Sequence, residues 1–496
     1  MEESAPVNLS ASGQQPTRWE SFDWLFLLGV FVVALAPRLY VAIAWAREPV
    51  WDGHYYHFGA TRIAEGLGYS EDVMIGGVPV WKPWCHYPVG YSGLLGLVYK
   101  LFGTGLMVGP LLNAFIGAFT AAAIYALARY CLGPWRARVA GLLCALHPGL
   151  ILYTALLMTE PLAALTLVVS ALAAVALSQQ RSGAVLSGIA LGLGALVRPP
   201  ALLAVPWLAF VLGDNLKQRL WRTALAGVTA LAVIAPWTYR NCRVMDECTL
   251  VSSNGGWNLA IGALSETGRF AALSAKLGCP GPGQVQQDRC WREVGMRKIA
   301  EDPWHWLGLI PKKLAHTYNH ESFAVGYLAE ADPTTWPDQR KWDGQRLLTV
   351  IHHLLMLGAL LGAISLSRPR FETFSRAEAR QNLGWFVQVG LLCAIALYAW
   401  WALEQDDSPL YWLIVVAPLV GLARLPGAPP TSRGFVYAWG VVLMTTFTHA
   451  LFFGDDRYHL TISPILCLLA AGALRAPARA AQGGVMSVSS TRSPVS

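Results

Sequence analysis

FDWLFLLGVFVVALAPRLYVAIAWAREPVWDGHYY, residues 22–56, sets an apolar run directly against a polar aromatic segment. The run from Phe22 to Trp45 exceeds the roughly 20 residues that cross a bilayer as a helix. The next segment, Trp51-Asp52-Gly53-His54-Tyr55-Tyr56, places a carboxylate at the membrane surface. An ionisable group there either solvates harmlessly or acts on a substrate with one end in lipid.

The rest of the chain repeats the apolar pattern. Of its 496 residues 54% are hydrophobic and 14% charged, against about 25% charged in soluble domains. Ala163 to Leu177 is continuously apolar apart from Thr166 and Ser170, which excludes the alternation of a membrane barrel. The sequence therefore predicts an all-α polytopic membrane protein of about 12 transmembrane helices. The expected spans are 22–44, 106–128, 138–154, 160–178, 182–197, 199–213, 220–237, 346–366, 383–403, 409–424, 434–453 and 459–475.

The net charge of +7 sits in short loops rather than one stripe, so it reports topology and not nucleic-acid binding. Placing residues 1–21 in the cytoplasm puts Arg129/Arg136/Arg138, Lys217/Arg219/Arg222, Arg368/Arg370/Arg376/Arg380, Arg424/Arg433 and Arg475/Arg479 inside, as the positive-inside rule requires. The N-terminal stretch to Pro16 lacks the basic start and cleavage site of a signal peptide. Residues 476–496 read as a disordered cytoplasmic tail, leaving 22–475 as the membrane domain.

Two outer segments, 46–105 and 238–345, are too long to be simple connections. Within them Pro88 to Phe102 reads as an interfacial or re-entrant helix, because a span there would turn Arg129 to Arg138 outward. Trp304 to Ala315, with Pro311, Lys312 and Lys313, reads as a surface-lying helix. Cys242, Cys248, Cys279 and Cys290 fall in the second segment; they are either free thiols or disulfides in any of three pairings, 242 with 248 and 279 with 290 among them.

The outer segments and span ends hold the residues able to do chemistry. Asp52 opens a short helix ending near Gly66, where it either caps the helix or serves as a base. His86, in His86-Tyr87-Pro88-x-Gly90-Tyr91, is a solvated loop histidine or a phosphate ligand. Arg198 and Arg457 are outward arginines that break the charge rule; each anchors a helix end or pairs locally, Arg457 with Asp455 or Asp456, unless an anion such as lipid-linked phosphate holds it. Glu160 opens a span, and Arg38 lies inside one, where it snorkels toward the interface or meets a partner. Pro236-Trp237-x-x-Arg240-Asn241 and Ser253-Asn254-Gly255-Gly256-x-Asn258, the latter first a turn signal, complete the set.

These motifs, with Asp52…Tyr56, Gly66-x-Gly68-Tyr69 and Arg457-Tyr458-His459, resemble in their order the C-type membrane glycosyltransferases. The likeness runs from about residue 22 to 475. It is to bacterial relatives of the dolichyl-phosphate-mannose protein mannosyltransferases, glycosyltransferase family 39-like. The resemblance implies an enzyme of the inner membrane that moves a hexose or pentose from a polyprenyl-phosphate donor to an acceptor hydroxyl of protein, lipid or glycan. Transfer would occur on the periplasmic face with inversion. Asp52 matches the family's first-loop acid, the general base; the donor phosphate falls to Arg240, Arg457, His86 and Arg198, and the substrate cavity to Tyr56, Tyr87, Glu160, Asn254, Asn258 and His459. The chain departs from the family's paired acids: Gly53 follows Asp52, and the next acids are Glu65, Glu71 and Asp72. Chemistry without metal or cofactor is therefore expected. The competing expectations are a lipid-linked-sugar flippase or small-molecule transporter, and a non-catalytic scaffold.

Overall fold

A computed structural model of the chain describes residues 19–273, 278–279, 283–367, 411–422 and 432–474. Its helices in chain order are α1 Ser21–Ala44, α2 Asp52–Ala64, α3 Val89–Phe102, α4 Val108–Cys131, α5 Pro134–Leu146, α6 Pro148–Leu152, α7 Glu160–Ala176, α8 Arg181–Val197 and α9 Leu216–Val244. There follow α10 Gly255–Leu264, α11 Gln284–Glu301, α12 Pro303–Gly308, α13 Ile310–Tyr318, α14 Phe323–Ala331, α15 Asp338–Ser367, then α16 Trp412–Leu422, α17 Arg433–Leu451 and α18 Ser463–Ala471.

Among the described residues five helices are long and apolar enough to cross a membrane, namely α1, α4, α9, α15 and α17, and a sixth span arises if α5 and Pro148–Ala155 count as one. The expected count of twelve is thus not reached among the described residues. The expected span 383–403 and the ends of 409–424 lie outside the described residues, as do the arginines at 368–380, 424, 475 and 479. α3 has 14 residues, about 21 Å of helix at 1.5 Å per residue, short of the ~30 Å hydrocarbon core. The apolar surface of α1 is largely outward, with Phe22, Leu25, Leu28, Val32 and Ile43 exposed, the disposition of a helix whose solvent is lipid. α4 is the more buried of the two and packs against α1, α5 and α7.

Three local results depart from the sequence reading. The expected span 199–213 is two 3-10 turns, Pro199–Ala204 and Pro206–Phe210, because Pro199, Pro200 and Pro206 withdraw the amides an α-helix needs. The chain is also not wholly helical, since Ser70–Ile75 (β1) pairs antiparallel with Val78–Pro83 (β2). The Gly76-Gly77 link takes φ of +58° and +85°, the left-handed pair that a two-residue hairpin turn demands. Third, Lys313 is fully buried, not on the surface; its Nζ donates to Leu451 O at the end of α17 (3.3 Å). The cysteines pair as Cys242–Cys248 and Cys279–Cys290.

Arg38 does not snorkel. It is 1% exposed and donates to Ala34 O (2.7 Å), Ala145 O (2.7 Å) and Cys144 O (3.3 Å). The last two carbonyls belong to the end of α5, where Pro148 breaks the helix and the axis bends by 48°. The guanidinium thus supplies the donors that the missing turn would have given. Arg38→Met leaves these carbonyls unsatisfied at about 1–3 kcal/mol each, so the detergent-solubilised variant is expected to melt well below wild type in a thermal-unfolding assay.

Candidate active site

Asp52 is the first residue of α2, and the residue before it, Trp51, is the only described non-glycine with positive φ (+49°). A bulky side chain is rarely found there and is held only by its surroundings. Here the indole packs on Phe323 and Tyr327, with ring centroids 5.4 and 5.7 Å away. Gly53 is required by the same packing, because a Cβ at this position would collide with the Tyr327 hydroxyl. The glycine that follows Asp52 therefore leaves room for the Tyr327 hydroxyl.

The Asp52 carboxylate is held from two sides. Arg457 Nη1 donates to Oδ2 at 2.5 Å and the Tyr87 hydroxyl donates to Oδ1 at 2.8 Å. Burial pushes the Asp52 carboxyl up, but the charge and hydrogen bond of Arg457, the Tyr87 hydroxyl and the more distant Arg198 together outweigh it. The net effect holds the carboxyl below its ordinary value. Arg457 is further flanked by Asp455 (Nε to Oδ1, 3.9 Å), so the expected local pairing is present but secondary. Burial, then Asp456, raises the Asp455 carboxyl, whereas Asp456 accepts from the Ser322 amide and hydroxyl.

A second acid–base pair stands beside the first. Glu160, at the N-terminus of α7 and 1% exposed, accepts from Arg198 Nη1 at 2.6 Å. Arg198 follows the last turn of α8, where Gly90 lets the start of α3 approach the Leu196 carbonyl; a Cβ there would lie 2.6 Å from it. Both guanidiniums sit 5.0 Å from the Tyr458 ring centroid, and His449 stacks on that ring at 4.1 Å.

These groups line one cavity of about 580 Å³, within the range of small-molecule sites. Of the residues expected from the sequence, Asp52, Tyr56, His86, Tyr87, Glu160, Arg198, Asn254, Asn258 and Arg457 all lie on its wall. Burial lowers the His86 imidazole from its usual value, which favours a neutral hydrogen-bonding ring over a cation. Leu202, Leu203, Leu250, Phe270, Phe452 and Phe453 make part of the same wall apolar. Sequence reasoning missed these, with His449, and took Tyr458 only as part of a motif, because nothing local marks which face of a hydrophobic helix end meets a cavity.

Two expected residues are elsewhere. Arg240 does not line the cavity; its Nη2 and Nη1 donate to Tyr69 O (2.6 Å) and Trp84 O (3.1 Å), clamping the two ends of the β1–β2 hairpin. His459 points into a buried cluster with Glu321 and His352, because the 3-10 turn Tyr458–Thr461 sends successive side chains in different directions.

Residues 86–239 match the family described as dolichyl-phosphate-mannose-protein mannosyltransferase. No curated protein matches the chain. Among solved structures, the archaeal oligosaccharyltransferase AglB of Archaeoglobus fulgidus, in complex with an inhibitory peptide and a dolichol-phosphate, aligns with 91% of this chain and 50% of its own. The identity is 14% and the TM-score 0.39. ArnT from Cupriavidus metallidurans, bound to undecaprenyl phosphate, aligns with 90% of this chain and 78% of its own, at 16% identity and a TM-score of 0.34. The chain spans about half the length of the archaeal protein. The match over residues 86–239 is to the group that the motifs of the sequence resemble.

Proposed function

We propose that this chain transfers a sugar from a polyprenyl-phosphate donor to an acceptor hydroxyl on the outer face of a bacterial inner membrane, with inversion, in a single membrane domain spanning 22–475. The observation that carries the reading is the joining, in one cavity, of a buried Asp52–Arg457 pair and an apolar wall. A ligand suited to it has an anionic head and a greasy body.

In the reaction the acceptor oxygen attacks the anomeric carbon from the side opposite the phosphate. Its proton passes to Asp52, the bond from the anomeric carbon to the phosphate oxygen breaks, and polyprenyl phosphate leaves with the electron pair. A positioned carboxylate contributes about 10²- to 10⁴-fold as a base, and fixed guanidiniums stabilise the leaving phosphate. The Asp52–Arg457 pairing gives this sequence an order. Asp52 bound to Arg457 is a weak base; a donor phosphate that takes over Arg457 frees the carboxylate and raises its basicity. Tyr87 then orients Asp52, while Asn254 and Asn258 are placed to meet sugar hydroxyls. Glu160 keeps Arg198 in position as the second phosphate ligand.

The pH profile follows with a definite sign. Free enzyme holds the Asp52 carboxyl below its ordinary value, so kcat/KM is expected to stay flat through the weakly acidic range. Loss of the Arg457 charge to the phosphate destabilises the carboxylate and raises its pKa in the complex. The acid limb of kcat is therefore expected at higher pH than that of kcat/KM, which steady-state rates across pH 3.5–8 would reveal. The reading itself is tested by offering the purified protein a panel of labelled polyprenyl-phosphate sugars with peptide, lipid and glycan acceptors. Transfer from at least one donor is expected. Binding without transfer from every donor points instead to a flippase.

A further inference from the structure

Behind the cavity wall lies a cluster that the transfer reaction does not use. Glu321, between α13 and α14, is 2% exposed; His352 of α15 and His459 are both fully buried. Their ligand atoms lie within 4.8 Å of one another. Glu321 Oε2 stands 3.9 Å from His352 Nδ1 and 3.8 Å from His459 Nε2. Both carboxylate oxygens and both of these ring nitrogens have no hydrogen-bond partner among the described residues.

The outer nitrogens fix the tautomers. His352 Nε2 lies 2.9 Å from Tyr318 O and His459 Nδ1 lies 2.7 Å from Thr317 O. A carbonyl only accepts, so the ring protons sit on those nitrogens. In the neutral rings His352 Nδ1 and His459 Nε2 therefore turn bare lone pairs toward a carboxylate in a water-poor interior. That arrangement is repulsive without a positive charge between the groups. A bridging proton does not match the spacing, because 3.8–3.9 Å exceeds a charge-assisted hydrogen bond of about 2.7–2.9 Å. The two imidazoles are stacked 3.9 Å apart, which disfavours protonating both.

A metal ion fits better. Donors sharing a tetrahedral zinc at about 2.0–2.1 Å lie roughly 3.3–3.4 Å apart, so the two carboxylate–imidazole distances would each contract by about half an ångström. Carbonyl acceptors behind metal-bound imidazoles are the common outer shell of such sites. Imidazole with one carboxylate selects a first-row transition ion over magnesium or calcium, which take oxygen ligands. His147 Nε2 approaches the same oxygen at 4.0 Å. Since its Nδ1 accepts from the Leu150 amide (3.4 Å), its proton is on Nε2, which therefore has no lone pair to offer a metal. Gly149 backs the cluster, and a Cβ there would run into Glu321 Oε1.

We propose that Glu321, His352 and His459 bind a divalent transition-metal ion, best zinc, in a buried site separate from Asp52. The ion pins the turn that carries Arg457. That turn is tied to the same loop through Ser322, whose amide and hydroxyl donate to Asp456 (2.6 and 2.5 Å). The role is positional, so its readouts are metal content and stability rather than transfer.

The test is elemental analysis of the full-length protein purified in detergent without added metal, beside Glu321→Gln, His352→Asn and Gly149→Ala. About one zinc per chain is expected for wild type, falling toward zero in the first two and clearly below one in the third. Chelation should lower the wild-type melting temperature, zinc should restore it, and cobalt should give a visible d–d spectrum. Should a variant fail to fold, the wild-type chelation and cobalt measurements decide alone. Wild type without metal and with no melting shift on chelation or zinc addition overturns the site, as does full zinc retention by Glu321→Gln and His352→Asn together.

Discussion

Asp52→Asn is expected to lower the rate of sugar transfer by on the order of 10²- to 10⁴-fold, the contribution of a positioned general base, while donor affinity holds or rises. The amide keeps the shape of the carboxylate and its hydrogen bond from Tyr87, so the fold is undisturbed. It cannot take the acceptor proton. The affinity prediction separates a base from a mere structural acid: in wild type the donor phosphate must win Arg457 from Asp52, which holds it at 2.5 Å. In the variant that close competitor is gone, and only the more distant Asp455 (3.9 Å) still faces the guanidinium. Single-turnover transfer combined with direct binding of a labelled donor checks both parts. Weakened binding with an unchanged rate constant for transfer would assign Asp52 to the helix start alone.

Arg457→Gln has the second large effect, and it acts on binding, chemistry and stability together. The guanidinium faces Asp52, Asp455 and the Tyr458 and Phe323 rings. Removing it leaves Asp52 a buried, unpaired carboxylate, at a cost on the order of 3 kcal/mol; with side-chain exposures of 15% and 22%, the upper end of the usual range does not apply. Donor affinity falls because a charge-assisted contact is lost, and the leaving phosphate is no longer stabilised. Arg457→Lys keeps the charge but not the two-pronged geometry, so it is expected to recover stability more fully than transfer. A melting curve and a donor titration on the three proteins distinguish these contributions. With Asp52 already changed to Asn, Arg457→Gln should cost less stability, because the uncompensated charge is gone.

The parts of this site that could be read in the sequence are those where a local rule is broken. Asp52 stands out because an acid follows a membrane span; Arg198 and Arg457 stand out because they violate the positive-inside pattern. Each proves to face the cavity. Arg240 obeyed a motif but not the geometry, since α9 continues to Val244 and turns that side chain onto the hairpin carbonyls. The hairpin itself had a signal in Gly76-Gly77, masked by the expectation of helices throughout. The histidine cluster had none. His147, Glu321, His352 and His459 are far apart in the chain and meet only once the helices are packed, and each alone looks like an ordinary polar residue in an apolar stretch. The proline-broken segment 199–210 shows the converse failure: hydropathy suggested a span, while three prolines decided the backbone.

The most direct measurement is a cryo-electron microscopy structure of the protein with a polyprenyl-phosphate sugar bound. The account predicts the phosphate against Arg457 and Arg198, the Asp52–Arg457 ion pair opened, and the freed carboxylate facing the anomeric carbon from the side opposite the phosphate. A donor head seated outside this cavity, with Asp52 still closed on Arg457, would contradict it.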